Sequence, residues 1–325
     1  MGLTNNSVGK GALDTGLQIK KSAEKDRVIA LAGNPNVGKS TVFNGLTGMK
    51  QHTGNWAGKT VACAVGRSEN YIFVDIPGTY SLMAHSPEEE VARNFVCFGS
   101  PDATVVVCDA TCIERNLNLV LQIMEICPRT LVCVNLLDEA KRKGINIDID
   151  LISRRLGAPV VGVVARKKKS LSGLLQKLDD LFFSEESEAE AKCRVSYQPD
   201  IEEAISRIEP IISKKLDGKI DPRWVSLRLL DGDEALGGAL SAFLGEDILA
   251  DGEVERALRQ VLGELASKGL GADDIKEAIA AAFVHRAEEI CRGAVSCEKK
   301  GYCDADRRID SNSCKRTIRI TTQST

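Results

Sequence analysis

The stretch GNPNVGKST, residues 33–41, follows the apolar run VIALA and precedes VFNGLTG, so it lies between a candidate strand and a candidate helix. Its spacing, Gly33-x-x-x-x-Gly38-Lys39-Ser40, fits a loop that binds nucleotide phosphates; a chance glycine turn is the alternative, which this context disfavours. The glycines let backbone N–H groups surround the β-phosphate, and the helix start adds partial positive charge. We expect Lys39 to bridge the β- and γ-phosphates and Ser40 to offer its hydroxyl to Mg²⁺. The other loop residues expected to bind the nucleotide are Asn34, Asn36, Val37 and Thr41.

A second motif, Asp75-Ile76-Pro77-Gly78, ends the strand-like run YIFVD. A carboxylate at this place holds Mg²⁺ through water, and the N–H of Gly78 reaches the γ-phosphate. A plain turn can have the same residues, so the assignment of this motif to Mg²⁺ and phosphate depends on its position after the phosphate loop.

A third motif, Asn135-Leu136-Leu137-Asp138, ends the run TLVCVN. Asp138 can accept hydrogen bonds from guanine N1–H and the exocyclic amine, while Asn135 braces the base and the loop. Adenine offers an acceptor at N1 and no 2-amino group, so it would leave the carboxylate unpaired. The alternative role for Asp138 is a helix cap.

Two further segments complete the candidate site. Ala165, in Val164-Ala165-Arg166, is expected to touch guanine O6 through its backbone N–H, although the basic run 166–169 also suits a solvated helix start. In HTGNWAGKTV, Thr60 is the candidate that closes on Mg²⁺ and the γ-phosphate, as a glycine-rich switch would. Trp56 is equally suited to anchoring that segment on the sheet.

Short β-branched runs alternate with helical patterns from Arg27 onward, which predicts an α/β fold with a mostly parallel sheet and helices on both faces. VACAVG and YIFVD are expected to form one antiparallel pair. Residues after 195 show only helical periodicity, which predicts a small all-α domain. We therefore expect a flexible arm over 1–26, a phosphate-loop domain over 27–183, a helical domain over 184–298 and a polar, basic tail over 299–325.

The composition excludes several classes. A net charge of −3 and 4% aromatic residues argue against a nucleic-acid-binding surface. No apolar run approaches the ~20 residues of a membrane span. Of the eleven cysteines, the six between residues 63 and 133 are expected to be reduced, mostly buried thiols. Free thiols are also favoured at Cys291, Cys297, Cys303 and Cys314, where a zinc site is the alternative that the lack of a CxxC pair disfavours.

Together GNPNVGKST, GNWAGKTV, DIPGTYSL, NLLDEAKRKGI and RWVSLRLLDGDE resemble the cytosolic portion of bacterial ferrous iron transport protein B, over residues 27 to about 310. The resemblance implies a Ras-like GTPase domain, a helical domain likened to a nucleotide dissociation inhibitor, and normally a fused transmembrane Fe²⁺ channel. It also implies a K⁺ ion beside the phosphates, held by Asn36 and by backbone carbonyls near Gly54 and Trp56.

A potassium ion would answer a chemical question. Thr79 stands after Gly78 where Ras-like enzymes have the Gln that orients water, so a monovalent cation could supply the positive charge of an arginine finger. We expect slow, K⁺-stimulated GTP hydrolysis that uses Asn36, Lys39, Thr60 and Gly78.

The chain departs from the family pattern twice. Ala57 replaces the usual Pro of GNWPG, which removes a fixed φ. After DRRID the run SNSCKRTIRITTQST stands where the family enters its first membrane helix, so the chain looks truncated or recombined.

The leading hypothesis is a GTP-hydrolysing switch that regulates Fe²⁺ uptake at the cytoplasmic face of the bacterial inner membrane. The expected partners are GTP and either a membrane iron-transport channel or a small Feo accessory protein, and homo-oligomerisation is left open. The alternative is a soluble, truncated GTPase that acts as a nucleotide-dependent binding module without transport. A ribosome-assembly GTPase is disfavoured by the pI of 5.8.

Overall fold

The computed structural model describes residues 19, 21, 23, 25–48, 51–55, 62–83, 86–183 and 194–298. Expectations for Trp56, Ala57 and Thr60 lie outside the described residues, as do those for most of the amino-terminal arm, for 184–193 and for the tail from 299 onward. The described part contains a seven-stranded sheet, a two-stranded sheet and eleven α-helices.

The strands are β1 (Arg27–Gly33), β2 (Gln51–Asn55), β3 (Ala62–Ser68), β4 (Tyr71–Asp75), β5 (Ala103–Asp109), β6 (Thr130–Asn135), β7 (Ile145–Ile147), β8 (Val160–Gly162) and β9 (Val295–Cys297). In the large sheet they are ordered β2-β3-β4-β1-β5-β6-β8. β4, β1, β5, β6 and β8 pair in parallel, whereas β3 pairs antiparallel with both β2 and β4. The mostly parallel sheet and the antiparallel β3–β4 pair are therefore as predicted.

The helices are α1 (Lys39–Thr47), α2 (Pro87–Phe98), α3 (Ile113–Ile126), α4 (Leu137–Arg142), α5 (Ile149–Leu156), α6 (Lys168–Phe183), α7 (Pro199–Leu216), α8 (Pro222–Leu230), α9 (Glu234–Leu244), α10 (Gly252–Ser267) and α11 (Ala272–Cys291). Polar side chains begin several of them. Ser86 accepts a hydrogen bond from Glu89 N at the start of α2, with Pro87 in the first helical position. Asp221 and Pro222 begin α8 in the same way.

The large sheet is buried on both faces. Val105 and Val107 of β5 belong to a core cluster shared with α1 and α6, whereas Val106 and Cys108 belong to a second cluster shared with α2 and α3. Consecutive side chains of a strand point to opposite faces, so one strand serves both cores. Helices therefore cover both faces, as predicted.

The second core cluster continues from the sheet into the helical part. It includes buried residues of α3, α7 and α11, and α11 packs along α3. Phe98 of α2 meets Phe243 of α9 with ring centroids 5.2 Å apart. The helices after residue 199 thus share a continuous apolar core with one face of the sheet.

Three strands, β2, β7 and β9, were not expected from the sequence. Residues 52–55 were assigned to a glycine-rich switch, but with Gln51 they form β2, because pairing with β3 satisfies the backbone groups of that sheet edge. β9, at the end of an expected all-helical region, pairs antiparallel with β7, about 150 residues away in the chain. All three strands depend on partners that local patterns do not reveal.

The predictions about cysteines and about membrane-spanning segments are compared here with the described residues. The described part of the chain contains eight cysteines that are not joined in disulfides, and six of them are buried. Cys303 and Cys314 lie outside it, and within it no group of three or more His, Cys, Asp and Glu side chains could hold a metal ion. No described helix combines the length and the apolar character needed to cross a bilayer.

Candidate functional site: a phosphate loop joined to a base-binding edge

The phosphate loop connects the end of β1 to the start of α1. Its backbone has a positive φ at three residues, 155° at Gly33, 66° at Asn36 and 84° at Gly38. A Cβ on Gly33 would lie 2.5 Å from the carbonyl oxygen of Val107, and a Cβ on Gly38 would lie 2.4 Å from Asn135 Nδ2. Glycine is therefore required at both positions, because backbone or a buried amide occupies the space of a side chain.

Asn135, at the carboxyl end of β6, holds three loops together. Its Nδ2 donates to Val37 O at 3.0 Å, and its Oδ1 accepts from Ala165 N at 3.0 Å. The side chain is 1% exposed. The phosphate loop, the Asn135–Asp138 motif and the Val164–Arg166 loop therefore meet at one edge of the sheet, where ligands of such folds bind.

Ala165 and Asp138 have different environments. The Ala165 N–H donates to Asn135 Oδ1, and its expected contact with guanine O6 stays a prediction. Asp138 lies at the second position of α4 and is half-buried. The basic run 166–169 is exposed.

The opposite side of the phosphate loop faces the end of β4. The Lys39 ammonium forms an ion pair with the Asp75 carboxylate, and both side chains are mostly buried. Thr79 N donates to Gly33 O at 3.2 Å, and a Cβ on Gly78 would lie 3.3 Å from the Pro35 backbone. The Asp75–Gly78 motif thus runs directly beside the loop.

Polar groups of the loop fall into two classes. Ser40, Thr41 and Asn36 are exposed and accessible to a ligand. Asn34 is 4% exposed, and its Oδ1 accepts no hydrogen bond from the residues that the structure describes. Enclosed amide oxygens of folded proteins nearly always accept a hydrogen bond, so Asn34 belongs among the candidate ligand contacts of the loop.

A short segment follows Gly78, and we name it the post-Gly segment (residues 79–83). It forms neither helix nor strand. The buried Thr79 hydroxyl donates to Ser81 O and lies 3.3 Å from Glu89 Oε1, so it is not free to orient water. The segment also forms hydrogen bonds with Gln122 of α3, a residue that was not predicted from the sequence. An amide side chain within the apolar run LVLQIM was the available signal.

The helices beside this segment also contact the helical part through buried charged groups. Arg93 of α2 is fully buried and donates to Asp233 Oδ2 at 2.9 Å. Glu125 of α3 accepts a hydrogen bond from the Tyr197 hydroxyl at 2.7 Å. Burial raises the pKa of the Glu125 carboxyl to about 7, against the opposing effects of that hydrogen bond and of two nearby arginine charges.

Comparison with known families gives two matches. Residues 27–178 match the family model described as ferrous iron transport protein B, and residues 197–296 match the FeoB cytosolic helical domain. The Fe(2+) transporter FeoB of Escherichia coli (strain K12) is 38% identical over 218 residues, which cover 64% of this chain and 27% of that protein. The Salmonella typhimurium (strain LT2) protein is 36% identical over the same coverage. The chain spans about a quarter of the length of these curated relatives.

Solved structures show the same fold. An S. thermophilus NFeoB mutant bound to mGDP has 28% sequence identity and a TM-score of 0.70, over 83% of this chain and 99% of that chain. The cytosolic domain of the T. maritima FeoB iron transporter in apo form has 29% identity and a TM-score of 0.65, over 83% and 99%. Both the sheet and the helical part lie within this similarity.

Proposed function

Since this chain belongs to the family of ferrous iron transport protein B, we propose that it is a GTP-binding and GTP-hydrolysing switch that regulates Fe²⁺ uptake across the bacterial inner membrane. The observation that carries the proposal is the position of Asn135, which joins the phosphate loop to the base-binding loops through two hydrogen bonds. One buried amide thereby aligns the two ends of a nucleotide site. Such preorganisation suits a ligand that has both a guanine base and phosphates.

The phosphates would lie in the loop from Gly33 to Thr41. Its glycines bring backbone N–H groups close to the ligand, and α1 directs its positive end toward it. Lys39 would exchange its contact with Asp75 for the β- and γ-phosphates. Asp138 would accept from guanine N1–H and the 2-amino group, and the Val164–Arg166 loop would donate to O6.

Magnesium fits the residues on the β4 side of the loop. The hydroxyl of Ser40 and the carboxylate of Asp75 are oxygen ligands of the kind that Mg²⁺ prefers, with Asp75 acting through water. We assign Thr60 as a further ligand from the sequence pattern. When bound, Mg²⁺ neutralises negative charge on the β- and γ-phosphate oxygens.

Potassium fits the outer side of the loop. Asn36 is exposed at a positive φ of 66°, so its side-chain oxygen is accessible to an ion. The family resemblance adds backbone carbonyls near Gly54 and Trp56. When bound, K⁺ supplies positive charge beside the phosphates, as an arginine finger does in other GTPases.

The hydrolytic role of this chain's own residues is mainly positional. The N–H of Gly78 would hold the γ-phosphate, and Lys39 would stabilise charge on it. Thr79 cannot orient water because its hydroxyl is already bonded within the post-Gly segment. We therefore propose that intrinsic hydrolysis is slow and that K⁺ accelerates it.

We further propose the domain limits 27–183 and 184–298, flanked by an arm over 1–26 and a tail over 299–325. The switch would act at the cytoplasmic face of the membrane, on an iron-transport channel or a small Feo accessory protein, as a monomer or a homo-oligomer. The observation that supports this proposal is the continuous apolar core between the sheet and the helical part, because it packs the two parts against each other.

The test is nucleotide affinity by calorimetry for the whole chain and for Asp138→Asn. Wild type should bind GDP and reject ADP. The variant should lose GDP affinity by on the order of 100-fold and prefer the xanthine nucleotide, because xanthine has a carbonyl where guanine has an amine. Asp150→Asn is the matched control, because this exposed carboxylate lies on the neighbouring helix α5. Equal binding of ADP and GDP by wild type would contradict the proposal, as would an unchanged preference in Asp138→Asn.

A further inference from the structure

We propose that Gln122 of α3 is a positioning residue for GTP hydrolysis, because it anchors the post-Gly segment beside the γ-phosphate site. The inference rests on the proposed hydrolytic function and goes beyond it, since it assigns a role to a side chain that would touch neither nucleotide nor metal. It also explains how a segment without regular structure keeps one conformation next to the phosphate loop.

The anchor consists of two hydrogen bonds to one atom. Gln122 Oε1 accepts from Leu82 N at 2.8 Å and from the Ser81 hydroxyl at 3.0 Å. Gln122 is 7% exposed and Leu82 is 3% exposed, so water has little access to compete for these bonds. The Ser81 hydroxyl in turn accepts from Met83 N at 3.0 Å. A single buried amide therefore fixes three consecutive residues.

The anchor is connected to the phosphate loop over a short path. Ser81 N donates to the Thr79 hydroxyl at 3.2 Å, and Thr79 N donates to Gly33 O at 3.2 Å. The segment is thus held at one end by the first glycine of the loop and at the other by α3. Gly78, whose N–H is assigned to the γ-phosphate, directly precedes Thr79, the residue that donates to Gly33.

This placement predicts an effect on turnover and little effect on GDP binding. GDP has no γ-phosphate. The groups assigned to GDP are the phosphate loop, Asn135 and Asp138, and none of the hydrogen bonds described above joins them directly to Gln122. Loss of the anchor would leave the Leu82 N–H unpaired and buried, so the segment would move toward water. The fraction of molecules with Gly78 in the productive position would then fall.

The experiment compares wild type with Gln122→Met and Gln122→Glu. Met has a similar volume and no acceptor oxygen, whereas Glu keeps an acceptor in either protonation state. We expect Gln122→Met to lower kcat about tenfold, the change for 1.36 kcal/mol, while GDP affinity changes less than about twofold. Gln122→Glu should recover most of the lost turnover. Gln260→Met is the matched control, because Gln260 is exposed on α10, far from the post-Gly segment in the chain, and its side chain donates to Glu264 at 3.0 Å.

Hydrogen exchange gives a readout that is independent of turnover. The Leu82 amide should exchange at least about tenfold faster in Gln122→Met than in wild type, and at the wild-type rate in Gln260→Met. Ser81→Ala removes the hydroxyl that bonds to Gln122 and accepts from Met83 N, but it keeps the bond from Leu82 N to Gln122. It should also lower kcat, and it tests the anchor if Gln122→Met does not fold.

The outcomes separate the two claims. No GTP hydrolysis by wild type would refute the proposed function itself. Hydrolysis by wild type with an unchanged kcat in Gln122→Met and in Ser81→Ala would refute the positioning role alone. Equal losses in the Met and Glu variants would also refute it, because a role in packing would then account for both.

Discussion

Replacing Glu125 by Gln should change how the stability of the protein depends on pH. Glu125 lies between the sheet and the helical part, where its Oε1 accepts from the Tyr197 hydroxyl at 2.7 Å. Its Oε2 is enclosed and accepts no hydrogen bond from the described residues. Burial is the main reason that the pKa of the carboxyl is raised from 4.5 to about 7, although Tyr197, Arg228 and Arg223 favour the charged form.

The magnitude and sign follow from linkage. When pH rises from 4.5 to 7, the carboxyl ionises in the unfolded chain before it ionises in the folded protein, so the unfolded state is favoured. The contribution of Glu125 to stability is fully present below pH 4.5 and is lost as pH passes through about 7. At 1.36 kcal/mol per pH unit the loss is about 3 kcal/mol. Gln keeps an acceptor for Tyr197 and does not titrate.

The assay is urea unfolding of wild type and Glu125→Gln at pH 5 and pH 8. The stability of the variant relative to wild type should increase between these pH values by roughly 2 to 3 kcal/mol. Glu277→Gln, an exposed position on α11, is the control and should show no such increase. If the stabilities of wild type and Glu125→Gln change with pH in the same way, burial does not raise the pKa of the Glu125 carboxyl and the prediction is wrong.

Two predictions concern the nucleotide site. Asn135→Ala leaves Val37 O and Ala165 N without their hydrogen-bond partner, and each unpaired buried group costs about 1–3 kcal/mol. Calorimetry should therefore show GDP affinity reduced at least about tenfold. Unchanged affinity would contradict the bridging role of Asn135. Gly38→Ala should also weaken GDP binding, because φ is 84° and the Cβ would lie 2.4 Å from Asn135 Nδ2. Gly263→Ala is its control, since it meets open space on α10 and should raise stability by about 1 kcal/mol without changing affinity.

The elements that were predictable from the sequence have local signals. The apolar run of β1, the glycines of the loop and the start of α1 are adjacent in the chain, so their spacing alone indicates strand, loop and helix. The contact of Asn135 with the phosphate loop was expected from the order of the motifs, and the structure shows it at Val37 O. Its contact with the base stays a prediction.

The features that were missed depend on distant partners. β2 has the residues QHTGN, which lack β-branched alternation, and it is a strand because β3 pairs with it. β7 and β9 are likewise strands because they pair with each other. Gln122 fits the helical pattern of α3 equally well as a packing residue, and its partner Leu82 lies 40 positions earlier in the chain. Such pairings follow from tertiary structure and have no periodic signature.

The assignment of Ala165 illustrates a related limit. The motif order predicts that its backbone N–H contacts guanine O6; in the structure that N–H donates to Asn135, and the contact with the base stays a prediction. Which N–H of a tight loop faces a ligand depends on local φ and ψ angles that residue identity does not determine. The role of the loop as a whole in base recognition remains a proposal.

The most direct test of the central claim is phosphate release from GTP by the whole chain, measured in potassium chloride and in an equal concentration of sodium chloride, with ATP in parallel. We expect that GTP is hydrolysed and ATP is not, that turnover is faster in K⁺, and that Asn36→Ala removes this gain. No release from GTP, or equal release from GTP and ATP, would contradict it.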